Sequence, residues 1–229
     1  MLLKTKMLYS LSYVGIGMLL SLNSMAQKSN YADVNAVVLG MKAGINSSNL
    51  KISQGGLSVS GSSVAGFSGG FYLQKKLAPN FFIQPELLFE QGGTKLSVQE
   101  STGTITETMA LNYLNLPILA KYTFPNSGFS VLGGPQIGYL LSAKATVAVT
   151  GQPELTNSSD SSYKKVNLSF VIGAEYAITP QFNISLRYFG GLTTIAKSEQ
   201  GYDNMGNPTT VNPDAKTSGI ALTVGYNFK

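Results

Sequence analysis

Six charged side chains stand out by position. Lys42, Glu86, Glu90, Lys121, Glu175 and Arg187 fall on the polar side of stretches that alternate polar and apolar residues, and Arg187 is the only arginine in the chain. Charges enclosed away from bulk water must be paired or hydrated. One reading is therefore an interior network of ion pairs and hydrogen bonds that fills a narrow lumen. The other is a narrow pore or proton path lined by the same residues. Paired carboxylates also invite hydrolysis. Glu86 and Glu90, however, sit on one strand at about 13 Å for ~3.3 Å per residue, wider than either glycosidase geometry. The chain has no His and no Cys, which removes catalytic triads, thiolate nucleophiles and the usual metal ligands and leaves no adequate general base. No catalytic, cofactor-binding or metal site is expected. Asp160, Asp203 and Asp214 lack the dense D-x-D-x-D-G spacing of a calcium loop and read as solvated acids. Asn46-Ser47-Ser48 and Asn157-Ser158-Ser159 match glycosylation acceptors, but such matches are frequent in Asn- and Ser-rich chains and carry no assignment. Gly69-Gly70 and Gly190-Gly191 read as strand residues rather than phosphate loops.

The elements that must position these charges are strands. From Val166 to Ile178, the residues Val166, Leu168, Phe170, Ile172, Ala174, Tyr176 and Ile178 share one face, against Asn167, Ser169, Val171, Gly173, Glu175 and Ala177. The same period-2 pattern recurs at 182–195, where Arg187 joins Asn183 and Ser185, and again at 217–228. In all, eight segments are expected, at 37–48, 64–77, 81–97, 110–123, 129–142, 165–178, 182–195 and 217–228, with ends uncertain by ~2–4 residues. Their connections alternate in length. Ala78-Pro79-Asn80, Pro125-Asn126-Ser127-Gly128 and Thr179-Pro180-Gln181 are short, whereas the connections after segments one, three, five and seven are long and rich in Ser, Thr, Gly and Asn. That places tight turns at one end of an antiparallel barrel and four long loops at the other, the arrangement of a transmembrane barrel with short periplasmic turns and long extracellular loops. Each segment covers the ~9–11 residues a tilted strand needs to cross a bilayer. The apolar face then meets lipid, and the Gly-, Ser-, Asn- and Thr-rich face fills an interior just wide enough for side chains.

Composition and the N-terminus bear on location. Charged residues make up 12% of the 229-residue chain, against ~25% in soluble domains, and Gly, Ser, Thr and Asn take their place. Lys4 and Lys6, the apolar stretch Met7–Leu22 and the small-x-small Ser24-Met25-Ala26 read as a cleavable signal peptide over 1–26, followed by a barrel domain over 27–229. Without that leader the chain holds 14 basic and 11 acidic residues, a net +3 too scattered for nucleic acid. A soluble, lipocalin-like barrel with reversed polarity shows the same alternation, but the leader, loop asymmetry and aromatic C-terminus favour the membrane form. Pro85, Pro117 and Pro135 fall inside strands of a ring without free edges, which calls for bulges or a local error of register.

Several stretches also carry a resemblance. They are Gly40-Met41-Lys42-Ala43-Gly44-Ile45-Asn46, Gln84-Pro85-Glu86-Leu87-Leu88-Phe89, Tyr113-Leu114-Asn115-Leu116-Pro117-Ile118, Gly134-Pro135-Gln136-Ile137-Gly138-Tyr139-Leu140, Gly173-Ala174-Glu175-Tyr176 and Val224-Gly225-Tyr226-Asn227-Phe228. In this order they resemble the small outer-membrane β-barrel domains that include the PorT-like proteins of Gram-negative bacteria, although Lys229 follows the terminal aromatic. The resemblance implies that in-strand prolines are a family habit, and it implies little about activity. The expectation is a non-enzymatic eight-stranded antiparallel barrel in the outer membrane. It would serve as a scaffold for surface loops or as an accessory in envelope assembly or secretion, meeting outer-membrane lipid and envelope proteins but no cofactor. The alternatives are a small transport pore and a soluble periplasmic lipid-binding barrel.

Overall fold

In a computed structural model the protein is described over residues 37–54, 57–100, 103–202 and 207–228. The leader expected over 1–26 lies outside these residues. In chain order the strands are β1 (Val37–Gln54), β2 (Leu57–Ser60), β3 (Ser62–Ala78), β4 (Phe81–Glu100), β5 (Gly103–Thr123), β6 (Phe129–Val149), β7 (Leu155–Ser158), β8 (Val166–Ala177), β9 (Phe182–Gly191), β10 (Glu199–Tyr202), β11 (Pro208–Val211) and β12 (Asp214–Asn227). Eight of them form an antiparallel ring in the order β1-β3-β4-β5-β6-β8-β9-β12, closed by β12 on β1 from Gly40↔Asn227 to Ser53↔Asp214. Closure matters energetically, because it leaves no row of unpaired backbone groups where water is absent. β2 and β7 extend the ring locally, on β1 and β6, and β10 pairs with β11.

The turn end is built by residues that tolerate a left-handed backbone. Asn80, Asn126 and Gly128 adopt φ of 65°, 58° and 67° in the β3–β4 and β5–β6 connections, conformations open to Asn and Gly at little cost. The other end differs from the expected loops. The β4–β5 ladder runs at one offset from Phe81↔Tyr122 to Glu100↔Gly103, so most of the third connection is a hairpin that projects past the ring. Its β-branched residues, Thr94, Thr104, Ile105, Thr106 and Thr108, favour extended backbone. β1 and β6 also project, paired with β2 and β7. Among the described residues most of the irregular chain lies in the last two long connections, and they are tied together by the bridge Tyr163↔Ala196.

The prolines bring neither bulges nor a slipped register. Pro85 aligns with Ile118, Pro117 with Gln136 and Pro135 with Phe170, each at the offset of its neighbours. Ladder rows beside the prolines are skipped and pairing then resumes in step. The ring's irregularities lie elsewhere, between Ser63 and Ser68, Lys76 and Ala78, and Asn112 and Tyr113. A missing N–H breaks one rung, and the rungs on both sides hold the strand.

The two faces separate cleanly. On β5, Leu114, Leu116, Ile118 and Tyr122 are exposed on the outside while Tyr113, Asn115, Leu119 and Lys121 are buried inside. β8 and β9 repeat the pattern, with Leu168, Ile172 and Leu186 outside and Asn167, Ser169, Ser185 and Arg187 inside. Contiguous apolar surface on this scale is not tolerated by a soluble monomer. Aromatic residues gather at the turn end, where Tyr122, Phe124 and Phe129 pack together and Phe182, Tyr226 and Phe228 do the same, as in the interfacial girdle of a membrane barrel.

Candidate functional site in the barrel interior

All six charges singled out in the sequence point into the ring, on β1, β4, β5, β8 and β9, and they sort into three layers. The central layer surrounds Glu86 of β4. Its carboxylate takes a bidentate pair from Arg187, Nη1 to Oε2 at 2.6 Å and Nη2 to Oε1 at 2.9 Å. Oε1 also accepts from Lys42 Nζ at 2.8 Å and Gln84 Nε2 at 2.6 Å. Arg187 does not bond the neighbouring strand's Glu175. It lies across Gly173, directly opposite it on β8, where any β-carbon would come within 2.9 Å of Arg187 Cγ, and so its guanidinium reaches over the lumen. Lys42 Nζ stands 4.7 Å from the centre of the Tyr72 ring. That ring in turn folds over Gly40, where a β-carbon would meet it at 2.2 Å.

Toward the turn end, Lys121 donates to Glu175 and to Gln74 Oε1, the latter at 3.2 Å. Toward the far end, Glu90 accepts from Asn115 and from Ser68 Oγ at 3.0 Å. Within these layers three cations face three carboxylates, and Lys76 adds a further cation where the vestibule opens at the turn end. Each ion pair, Lys42–Glu86, Arg187–Glu86 and Lys121–Glu175, spans at least one intervening strand and so ties the walls of the ring together, whereas Gln84, Ser68 and Asn115 bond within β4 or from the strands beside it.

Beyond Glu90 the chemistry inverts. Leu50, Leu111, Tyr113, Leu140, Ala143, Tyr163, Ile195 and Ala215 form a buried apolar cluster across the outer mouth. Tyr163 and Ile195 come from the long connections, and the others from inward positions of β1, β5, β6 and β12. The physical reason is the solvent. Where the ring rises out of lipid it must behave like a water-soluble barrel, with apolar residues inside. Its outward rows there are polar, as in the hydroxyl pairs Ser97–Thr106 and Thr146–Thr156. This plug was missed by reading alternation alone. Its signal was the inward series turning apolar at Leu50, Leu111 and Leu140.

Open space is small above the charge layers and larger below. A cavity of ≈ 40 Å³ under the plug is lined by Glu90, Asn115, Asn46, Asn167 and Tyr113. Asn46 Oδ1, Asn167 Oδ1 and Tyr113 OH lack a protein partner, and polar walls of this size suit a few water molecules. A space of ≈ 10 Å³ separates Glu90 from Arg187. At the turn end a vestibule of ≈ 300 Å³ opens below Lys121 and Glu175. Among the described residues no group of three or more His, Cys, Asp or Glu could hold a metal ion. Asp160 accepts from the Ala143 amide and Asp214 pairs with Lys216, while Asp203 lies outside the described residues.

Comparison with known proteins gives one family, described as an outer membrane protein beta-barrel domain, matching residues 25–197. No curated protein matches the chain. Among solved structures, Ail, the attachment invasion locus protein of Yersinia pestis, in complex with the heparin analogue sucrose octasulfate, is 15% identical with a TM-score of 0.43, over 83% of this chain and 99% of that one. Neisserial surface protein A is 15% identical with a TM-score of 0.43, over 82% and 96%. The outer membrane protease OmpT of Escherichia coli is 9% identical with a TM-score of 0.41, over 84% and 96%.

Proposed function

Because the chain belongs to the outer membrane protein beta-barrel domain family, and so lies in the outer membrane with its apolar exterior against lipid, we propose that it is a closed, non-enzymatic barrel. In this reading its working surface is the set of projecting hairpins and loops, through which it serves as a scaffold or as an accessory to envelope assembly or secretion. One observation carries the reading: the lumen is filled at successive levels, by the Lys121–Glu175 pair, by the Lys42–Glu86–Arg187 cluster and by the apolar plug. Cavities of ≈ 40 and ≈ 10 Å³ between these levels offer little room for a hydrated ion, which supports a closed lumen. The absence of His and Cys removes the common nucleophile–base pairs and supports the non-enzymatic part.

The test is a barrel whose β4–β5 hairpin is cut back to the Gly93↔Ala110 pair and closed by a tight turn. It should fold and reach the outer membrane. It should also lose the envelope proteins that cross-link to the full-length chain in intact cells. An unchanged cross-linking pattern in both this barrel and one with shortened β6–β8 and β9–β12 connections contradicts the proposal.

A further inference from the structure

The ring closes with an unusual pair just above the lipid-facing band. In the β1–β12 ladder Lys51 stands directly opposite Lys216, and like charges facing one another across strands are destabilising. Asp214 bonds Lys216 Nζ at 2.9 Å, which balances one of the two ammonium groups. Among the described residues no carboxylate lies within ion-pair distance of Lys51. The next outward row toward the bilayer is Asn49↔Ser218, and β2 brings Ser60 opposite Lys51. Two ammonium groups are thus flanked by hydroxyl and amide donors, with a surplus of one positive charge.

The height of this patch is set by the strands. Ile220, Leu222 and Val224 are the outward apolar residues of β12. Lys216 lies about 13 Å beyond Ile220 along the strand, or roughly 10 Å along the membrane normal at a tilt of ~40°. Lysine side chains reach back toward the interface, which puts their ammonium groups at the level of outer-leaflet headgroup phosphates. Lys95, Lys144 and Lys164 are also exposed at this end of the ring. The turn end offers Lys75 as its exposed lysine on the outward face.

We propose that the seam formed by Lys51, Lys216, Asn49 and Ser218 binds a phosphate monoester of outer-leaflet lipopolysaccharide. A monoester carries about −1.5 to −2 charges and three acceptor oxygens. Its three terminal oxygens can take both ammonium groups and the neighbouring hydroxyl and amide donors together, where a diester offers only two. The proposal rests on the outer-membrane placement and is independent of whether the lumen is closed.

The experiment measures binding of fluorescent bisphosphorylated lipid A to the full-length folded barrel in neutral detergent, by anisotropy, with the same lipid dephosphorylated as its counterpart. With about five-fold in affinity per lysine near an anionic surface, K51Q/K216Q should weaken binding at least ten-fold, K51R/K216R should retain it, and K75Q should change it less than two-fold. Wild type should prefer the phosphorylated lipid by a similar factor. Equal binding of the dephosphorylated lipid, equal binding by K51Q/K216Q, or an equal loss in K75Q each overturns the assignment. Heat-modifiable migration verifies folding, and the lipid comparison on wild type decides the matter if a variant does not fold.

Discussion

Replacing Arg187 by leucine is the sharpest probe of the interior. The change removes both bonds that the guanidinium makes to Glu86 and leaves Oε2 without a hydrogen-bond partner among the described residues, while Lys42 and Gln84 still hold Oε1. Breaking a buried ion pair from one side costs ~3–5 kcal/mol, and the surviving Lys42 contact places this variant near the lower value. With a urea slope of about 2 kcal/mol per molar, the midpoint of unfolding should fall by roughly 1.5 M. Glu86→Leu strands Lys42 and Arg187 together and should cost more, toward the upper value of ~5 kcal/mol. The double replacement of Arg187 and Glu86 by leucine still buries Lys42 without a carboxylate, so it should not recover the loss. Adding Lys42→Met removes the last charge and should recover most of it. Lys164→Leu, at an exposed position, should change stability by less than ~0.5 kcal/mol. The assay is urea unfolding in lipid vesicles, followed by far-UV circular dichroism and gel mobility. If Arg187→Leu and Lys164→Leu have equal effects, or if the double variant is as stable as the triple, the account of a shared Glu86 cluster is wrong.

Other consequences are simpler to score. Ile118→Arg, at the middle of the outward row of β5, should destabilise the barrel by ~2–4 kcal/mol in vesicles, whereas Leu155→Lys on the projecting β7 should stay within ~0.5 kcal/mol. Gly138→Val places a β-carbon where Asn167 Oδ1 stands at 2.1 Å and Asn115 Oδ1 at 2.6 Å, and overpacking of this kind should cost ~1–3 kcal/mol in the same assay. Leu140→Ala in the fully buried plug should cost ~2–5 kcal/mol, and hydrogen exchange should show the β9–β12 connection opening more readily.

The barrel was legible because lipid and lumen impose opposite polarity on alternate residues, and eight alternating stretches with short and long connections admit few closures. The six interior charges were legible for the same reason: period 2 fixes which face Lys42 or Glu175 occupies. Their pairing was not. Which carboxylate Arg187 meets depends on Gly173 leaving room beside it and on the stagger of the closed ring, which brings β4 within reach of β9, and neither is a property of one strand. The prolines misled, since local propensity forbids them in a ladder while the flanking rungs hold the register. The projecting hairpin was read as loop because Ser, Thr and Gly mark turns, yet Thr94, Thr104, Thr106 and Thr108 extend strands once the partner is present. The plug escaped because the rule that the inside is polar holds only at the depth of the bilayer.

The central claim is that side chains seal the lumen, and single-channel recording in planar bilayers tests it most directly. Purified full-length barrel inserted into neutral lipid should give no steady conductance steps in molar salt. The triple replacement of Lys42, Glu86 and Arg187 by apolar residues should remain silent, because the plug and the Lys121–Glu175 layer still block the path. Large, reproducible steps from the wild-type barrel would contradict the account and establish a pore.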